Sequence, residues 1–132
     1  MAHILYALLG AMVLPIMLSW VSAYARMKQF GSIDNNHPRQ QQAELEGLGA
    51  RAVAAQSNAW EALMLYTATC VIVVAAGLDL ASLEMFACIF LGARVLHGVF
   101  YIANLGILRS ISFLAATASC FYMIYLAATV VA

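Results

Sequence analysis

Four long apolar stretches dominate the chain and limit the folds open to it. They cover residues 4–24, 51–76, 83–103 and 110–131. A membrane-spanning helix needs about 20 mostly apolar residues, and each stretch is long enough. Of the 132 residues, 65% are hydrophobic and 9% are charged, whereas soluble domains are about 45–50% apolar and about 25% charged. The sequence therefore predicts an all-α membrane protein, one domain over residues 1–132 with four crossings.

The connections between these stretches indicate how the helices are arranged. The first is long and polar, covers residues 26–49, and includes a segment, 40–46, that could form a short surface helix. The other two are short, at 77–80 and 104–109. Short connections make consecutive helices antiparallel neighbours, so an up-down four-helix bundle is expected. Pro15 lies inside the first stretch and could kink that helix.

Basic residues lie on one side of the predicted membrane. Five lysines and arginines lie on this side, and the opposite side has none. The five are Arg26, Lys28, Arg39, Arg51 and Arg109. Because loops rich in lysine and arginine stay in the cytoplasm, the first and third connections are expected there and both termini on the other side. The net charge of zero argues against a nucleic-acid partner. No second histidine lies at metal-ligand spacing, so no metal site is expected.

Polar residues inside a crossing are costly and are therefore functional candidates. On the second crossing, Arg51 and Asn58 fall on one stripe, and Glu61 lies about 60° to its side. On the third crossing, an arc of roughly 80° carries the polar set Arg94, His97, Tyr101 and Asn104. Each of these two helices is thus predicted to have a single polar face.

The depths of these residues predict a polar cleft. Glu61 and Arg94 both lie roughly 15 Å from the cytoplasmic end, so an ion pair between them is expected. Asn58 and His97 match at roughly 10 Å by the same count. Arginines at the mouth favour an anion, Glu61 could receive an amino group, and an arginine beside a thiol would stabilise its thiolate. The inventory fits a small zwitterion with carboxylates.

Three motifs in order give the chain a family resemblance. They are Arg51-xxx-Ala55-Gln56-x-Asn58-xx-Glu61, then Arg94-xx-His97-xxx-Tyr101, then Arg109-Ser110. Together they resemble the MAPEG family, the membrane-associated proteins in eicosanoid and glutathione metabolism. The similarity covers nearly the whole chain. It implies a homotrimer of four-helix subunits, with glutathione as co-substrate bound between subunits near the cytoplasmic face.

The resemblance also implies roles for individual residues. Arg109 corresponds to the arginine that stabilises the thiolate, and Ser110 follows it as in some members; these two are the catalytic candidates. The glutathione-binding candidates are Arg26, Arg51, Asn58, Glu61, Arg94, His97 and Tyr101. The remaining partners implied are the lipid bilayer and a lipophilic small molecule.

Two departures from the family pattern stand out. Ala54 occupies the place of an arginine that directly precedes the helix-two alanine in eicosanoid-related members, and Tyr101 and Arg109 are one residue closer than in some relatives. Both departures indicate a divergent bacterial branch, located in the inner membrane, in which the use of glutathione is open.

Three functions remain as alternatives. The first is a glutathione-dependent transferase or peroxidase acting on lipophilic electrophiles or lipid hydroperoxides. The second is a non-catalytic protein that binds a lipid or another ligand, which the alanine at position 54 favours. The third is a small transporter, against which the one-sided distribution of positive charge argues. Structural readings also stay open: Glu61 with Arg94 could serve only to fix helix register, and Asn58 could bond a neighbouring helix.

Overall fold

All regular structure in the part of the chain that the computed structural model describes, residues 2–131, is helical. The helices are α1 (Ala2–Phe30), α2 (Pro38–Ala43), α3 (Gly47–Ala75), α4 (Glu84–Ile102) and α5 (Gly106–Val131). The four long helices are long and apolar enough to cross a membrane. The predicted all-α, four-crossing membrane fold is confirmed.

Helix α1 continues beyond the predicted crossing and ends at Phe30. No residue between 24 and 30 breaks a helix, and α1 stops where Gly31 adopts a φ of +73°, a left-handed conformation that favours glycine at helix ends. Arg26 and Lys28 therefore lie on the last turns of α1 and not in the connection. The helix also runs on through Pro15, which is buried.

The first connection is correspondingly shorter than predicted and folds against α1. Its short helix α2 begins at Pro38, because proline suits the first helical position, where no backbone N–H is needed. The Gln29 side chain of α1 donates to the Glu44 carbonyl at 2.9 Å and accepts from the Glu46 amide at 3.0 Å. The connection is thus fixed by hydrogen bonds to the end of α1.

The turn between α4 and α5 is only a few residues long. Asn104 adopts a φ of +60°, and the Leu105 amide donates to the Phe100 carbonyl at 2.9 Å, as in a left-handed helix cap. Asn104 therefore ends α4 and does not belong to its polar face. Because α5 begins at Gly106, Arg109 and Ser110 lie in its first turn.

Close approach of small residues holds the long helices together. Helix α1 packs mainly on α3 and α5 mainly on α4. Helix α4 also contacts α1 and α3, and α3 also contacts α5. A Cβ atom at Gly49 would lie 3.0 Å from the Cβ of Ala25, so α1 and α3 nearly touch there. Small residues permit such contacts in membranes, where no hydrophobic effect drives helices together.

The bundle has an apolar half and a polar half. In the apolar half, the rings of Tyr66 and Phe90 stack with centroids 4.1 Å apart, and the Tyr66 hydroxyl lies 3.5 Å from the Ile4 carbonyl oxygen. The first turns of α1 lie in this half. The candidate residues of α3 and α4 lie toward the other end, where the connection between α1 and α3 is found.

Candidate functional site

A hydrogen-bonded chain of three side chains joins α3 to α4. Arg94 is 3% exposed, and its Nη2 donates to the Asn58 side-chain oxygen at 2.7 Å and to the Asn58 carbonyl at 3.1 Å. The Asn58 side-chain nitrogen donates in turn to Oε2 of Glu61 at 3.3 Å. Asn58 and Glu61 share one face of α3 because they are three residues apart.

The direct ion pair predicted between Glu61 and Arg94 is not formed. Within residues 2–131, Arg94 makes no salt bridge at 4.0 Å or less, and Asn58 lies between the two charged groups. The prediction rests on the equal depth of the two residues on neighbouring helices, but depth does not specify the lateral position of a side chain. The asparagine is one turn closer to the connection on the same face, and its short side chain reaches both charges.

These three residues form the polar wall of a small cavity among α3, α4 and α5. The cavity volume is about 180 Å³, and the lining also includes Thr117 and the apolar residues Ala62, Leu65, Phe90, Phe113 and Ala116. The Nε atom of Arg94 is buried without a hydrogen-bond partner among the described residues. The cavity therefore combines the buried cation of Arg94, which has one N–H donor unpaired within residues 2–131, with the amide of Asn58, the hydroxyl of Thr117 and the carboxylate of Glu61.

The carboxylate of Glu61 lies on the outside of the chain. Its side chain is exposed, although the residue lies within the apolar span Gly47–Ala75. Charged residues at membrane depth normally face a bundle interior or a water-filled cavity. This surface of α3 is thus expected to face water, a polar ligand or another polar surface and not lipid.

A row of aromatic rings extends from the cavity toward the turn between α4 and α5. Buried His97 and half-buried Tyr101 meet edge to face with centroids 5.5 Å apart, and His97 lies 6.3 Å from Phe113, which lines the cavity. The guanidinium carbon of Arg109 lies 4.5 Å from the Tyr101 centroid. Tyr101 and His97 lie on one face of α4 with Arg94, as the spacing of three and four residues predicts.

Six predicted residues do not line this cavity in the single chain: His97, Tyr101 and Arg109, which lie in the aromatic row beside it, and Arg51, Arg26 and Ser110, which make other contacts. Arg51 donates from Nε to the carbonyl of Ile102, the last residue of α4, at 3.1 Å. Arg26 points at the first connection, where its Nη1 lies 3.5 Å from Oε1 of Gln41. The Ser110 hydroxyl donates to the Gly106 carbonyl of its own helix at 3.0 Å.

Sequence reasoning did not identify the contribution of α5 to the cavity. Phe113 and Thr117 both line it, and with Arg109 they are spaced four residues apart on one helix face. A threonine on that stripe was the available signal. Its hydroxyl makes no hydrogen bond with any residue in the range 2–131, so it remains free for a ligand.

Comparison with known proteins gives one match. The model of the MAPEG family matches residues 3–129. No curated protein and no solved structure matches the chain at a significant level. Because the family model covers almost the full length, including every helix that contributes to the cavity, the chain belongs to the MAPEG family.

Proposed function

We propose that this protein is a membrane-bound glutathione-dependent transferase or peroxidase that acts on lipophilic electrophiles or lipid hydroperoxides. Membership of the MAPEG family supports a glutathione-related membrane function in general. The observation that carries the proposal is the exposed Glu61 carboxylate beside buried Arg94 inside an apolar span. Charged groups at that depth normally mark a functional site, which supports a bound polar ligand here.

Glutathione has the groups that this site would bind. It carries an amino group, two carboxylates and a thiol. Glu61 offers a carboxylate oxygen to the amino group, and the Asn58 amide can both donate and accept. Arg109 offers guanidinium donors to an anion, since its side chain makes no hydrogen bond within the described residues. In this proposal, Glu61 binds the amino group of glutathione and Arg109 binds an anionic group.

In the proposed reaction, Arg109 stabilises the thiolate of glutathione. A positive charge next to a thiol favours the thiolate, which is the reactive nucleophile. In a substitution, the sulfur forms the new C–S bond while the bond to the leaving group breaks and that group departs with the electron pair. In an addition, the C–S bond forms as the π bond breaks, and the resulting anion takes up a proton. With a hydroperoxide, the sulfur attacks the outer oxygen, the O–O bond breaks, the alcohol leaves protonated, and a second glutathione converts the sulfenic product to the disulfide and water. Ser110 remains a candidate for assisting the thiolate.

The same proposal includes a homotrimer. Pockets that enclose drug-sized ligands usually have volumes of about 300–1,000 Å³, so a cavity of about 180 Å³ in one chain is too small to enclose a tripeptide. A second subunit over the exposed Glu61 would enlarge the site and cover the charge. Residues such as Arg26, which do not reach the cavity of their own chain, could then serve a neighbouring one.

The proposed location is a bacterial inner membrane. Five basic residues lie at one end of the bundle: Arg26, Lys28, Arg39, Arg51 and Arg109. Because positively charged loops stay in the cytoplasm, the proposal places the connection between α1 and α3 and the turn before α5 on that side. Both termini would then lie on the other side.

A second candidate function is a non-catalytic MAPEG protein that binds a lipid or another ligand. Ala54 favours it, because the eicosanoid-related pattern has an arginine at this place and alanine offers no contact to a carboxylate. A turnover assay separates the two candidates.

The test is an ultraviolet difference titration of the purified protein with glutathione, which detects the thiolate band. Wild type should give a saturable band, Arg109→Ala should abolish it, and Arg39→Ala, which removes an exposed cation of α2, should keep it. If no band forms and calorimetry detects no glutathione binding, the glutathione proposal is wrong and the non-catalytic function becomes the better one.

A further inference from the structure

An apolar groove runs between α1 and α4, separate from the polar cavity. Its volume is about 740 Å³, and it is bordered by residues 14–24 of α1, residues 95–102 of α4 and the next residue, Ala103. It shares no lining residue with the cavity, since Arg94 faces the cavity and the next residue, Val95, lines the groove. A helical rise of about 1.5 Å per residue gives the groove a length of roughly 15 Å.

The groove lies between two membrane-spanning helices, and no described side chain fills the space above its base at Gly98. No charged side chain lines it, so water would gain no strong hydrogen bonds there. Gly98 forms part of the floor, and a Cβ atom placed on it would meet nothing within 4 Å. The missing side chain leaves space that α1 does not fill, and a flexible acyl chain can occupy such a space.

Positive charge lies at one end of the groove. Tyr24 is the last residue of α1 that lines the groove. Lys28 lies one turn farther along α1, and its amine is 5.6 Å from the Tyr24 ring centroid. Arg51 reaches the same end, where it donates to the Ile102 carbonyl. The acidic residue Glu46 lines a neighbouring hollow with Lys28 but forms no salt bridge with it among residues 2–131.

We propose that this groove binds one anionic phospholipid from the leaflet on the side of the first connection. One acyl chain would lie between α1 and α4 along Gly98, and the phosphate would lie at Lys28. Charge complementarity selects this occupant, because an anionic headgroup next to a lysine near the membrane surface gains about 1 kcal/mol, equivalent to about fivefold in affinity. The inference does not depend on the proposed catalytic function.

Trp20 lines the groove and provides an internal reporter. The chain has two tryptophans, and the other, Trp60, lies on α3 outside the groove. The substitution Trp60→Phe leaves Trp20 as the one tryptophan of the protein. Trp20 lies roughly 12 Å along α1 from Lys28, at the depth of acyl chains. Bilayers that contain brominated phosphatidylglycerol or brominated phosphatidylcholine should quench its fluorescence to different extents.

The expected result is about a fivefold preference of the Trp20 site for the anionic lipid. Gly98→Leu should abolish this preference by filling the floor, whereas Gly92→Leu, at an exposed glycine of α4 whose Cβ also meets nothing, should keep it. Lys28→Gln should reduce the preference, and Arg39→Gln should not. A protein with Trp20→Phe, which reports only from Trp60, should show equal quenching by the two lipids.

Three outcomes would overturn the inference. Equal quenching by the two lipids would mean that the groove does not select an anionic headgroup. Protection of Trp20 from both lipids would mean that another copy of the chain covers the groove. A preference that survives in Gly98→Leu would place the lipid elsewhere on the surface. Circular dichroism of each variant separates these results from loss of the helical fold.

Discussion

The guanidinium of Arg109 rests on the ring of Tyr101, with 4.5 Å between the guanidinium carbon and the ring centroid. A cation–π contact uses the positive charge of the guanidinium and does not require its N–H groups to donate hydrogen bonds. The Arg109 side chain makes no hydrogen bond or salt bridge in the described part of the chain. The ring thus positions the cation and leaves its donors free for an anionic ligand.

The first prediction separates the ring of Tyr101 from its hydroxyl. Tyr101→Phe keeps the aromatic face and should keep the thiolate band of bound glutathione. Tyr101→Leu loses the contact, which is worth about 0.5–2 kcal/mol, and should weaken thiolate stabilisation by about twofold to thirtyfold. The measurement is the pH dependence of the ultraviolet band in each variant. Loss of the band in Tyr101→Phe would show that the hydroxyl binds the ligand itself and that the ring is not the anchor.

The second prediction concerns the bridge at Asn58. Asn58→Ala removes the side-chain acceptor 2.7 Å from buried Arg94 and leaves only the backbone carbonyl. A buried donor left unpaired costs about 1–3 kcal/mol, so the free energy of unfolding should fall by about that amount and glutathione binding should weaken. Gln56→Ala, on the same helix and without a side-chain hydrogen bond within residues 2–131, is the control. Unchanged thermal unfolding in Asn58→Ala would contradict the bridging role.

Sequence could predict the helices and the depth of the polar residues but not the partner that each arginine takes. Apolar length fixes the crossings, and spacing of three or four residues groups Asn58 with Glu61. The contact of Arg51 depends on where α4 ends, which the left-handed backbone of Asn104 decides. The place of Asn58 between Glu61 and Arg94 depends on the lateral packing of α3 against α4. Counting residues along one helix predicts neither the contact of Arg51 nor the position of Asn58.

The third prediction follows from the hydrogen bond of Arg51 to the end of α4. Removal of this charged donor from the Ile102 carbonyl should cost about 1–3 kcal/mol. Arg51→Ala should therefore lower the thermal unfolding midpoint and leave the affinity for glutathione unchanged. Arg39→Ala, at an exposed position of α2, should alter neither. If Arg51→Ala instead kept its stability and lost affinity, Arg51 would contact the ligand, as the family resemblance implies.

The fourth prediction concerns pH and the first connection. Hydrogen bonds from the amides of His37 and Asn36, at 3.0 and 2.8 Å, hold the pKa of Asp34 below its ordinary value of 3.8. A lowered pKa in the folded state stabilises the turn above the ordinary value, and this contribution is lost as the pH falls through the lowered one. Carbon NMR titration of the Asp34 carboxyl group should give a midpoint below 3.8. A midpoint at or above that value would contradict the turn geometry.

The fifth prediction tests whether α5 contributes to the ligand site. The Thr117 hydroxyl lines the cavity and makes no hydrogen bond with the rest of residues 2–131, so Thr117→Val should leave thermal unfolding unchanged. If a bound ligand uses the hydroxyl, its loss should weaken binding by about 0.5–1.5 kcal/mol, or about twofold to tenfold. Thr67→Val provides the control, because that exposed hydroxyl donates to the Leu63 carbonyl of its own helix and lies outside the cavity. Equal affinities in both variants would exclude the Thr117 hydroxyl from the site and would leave α3 and α4 as its polar walls.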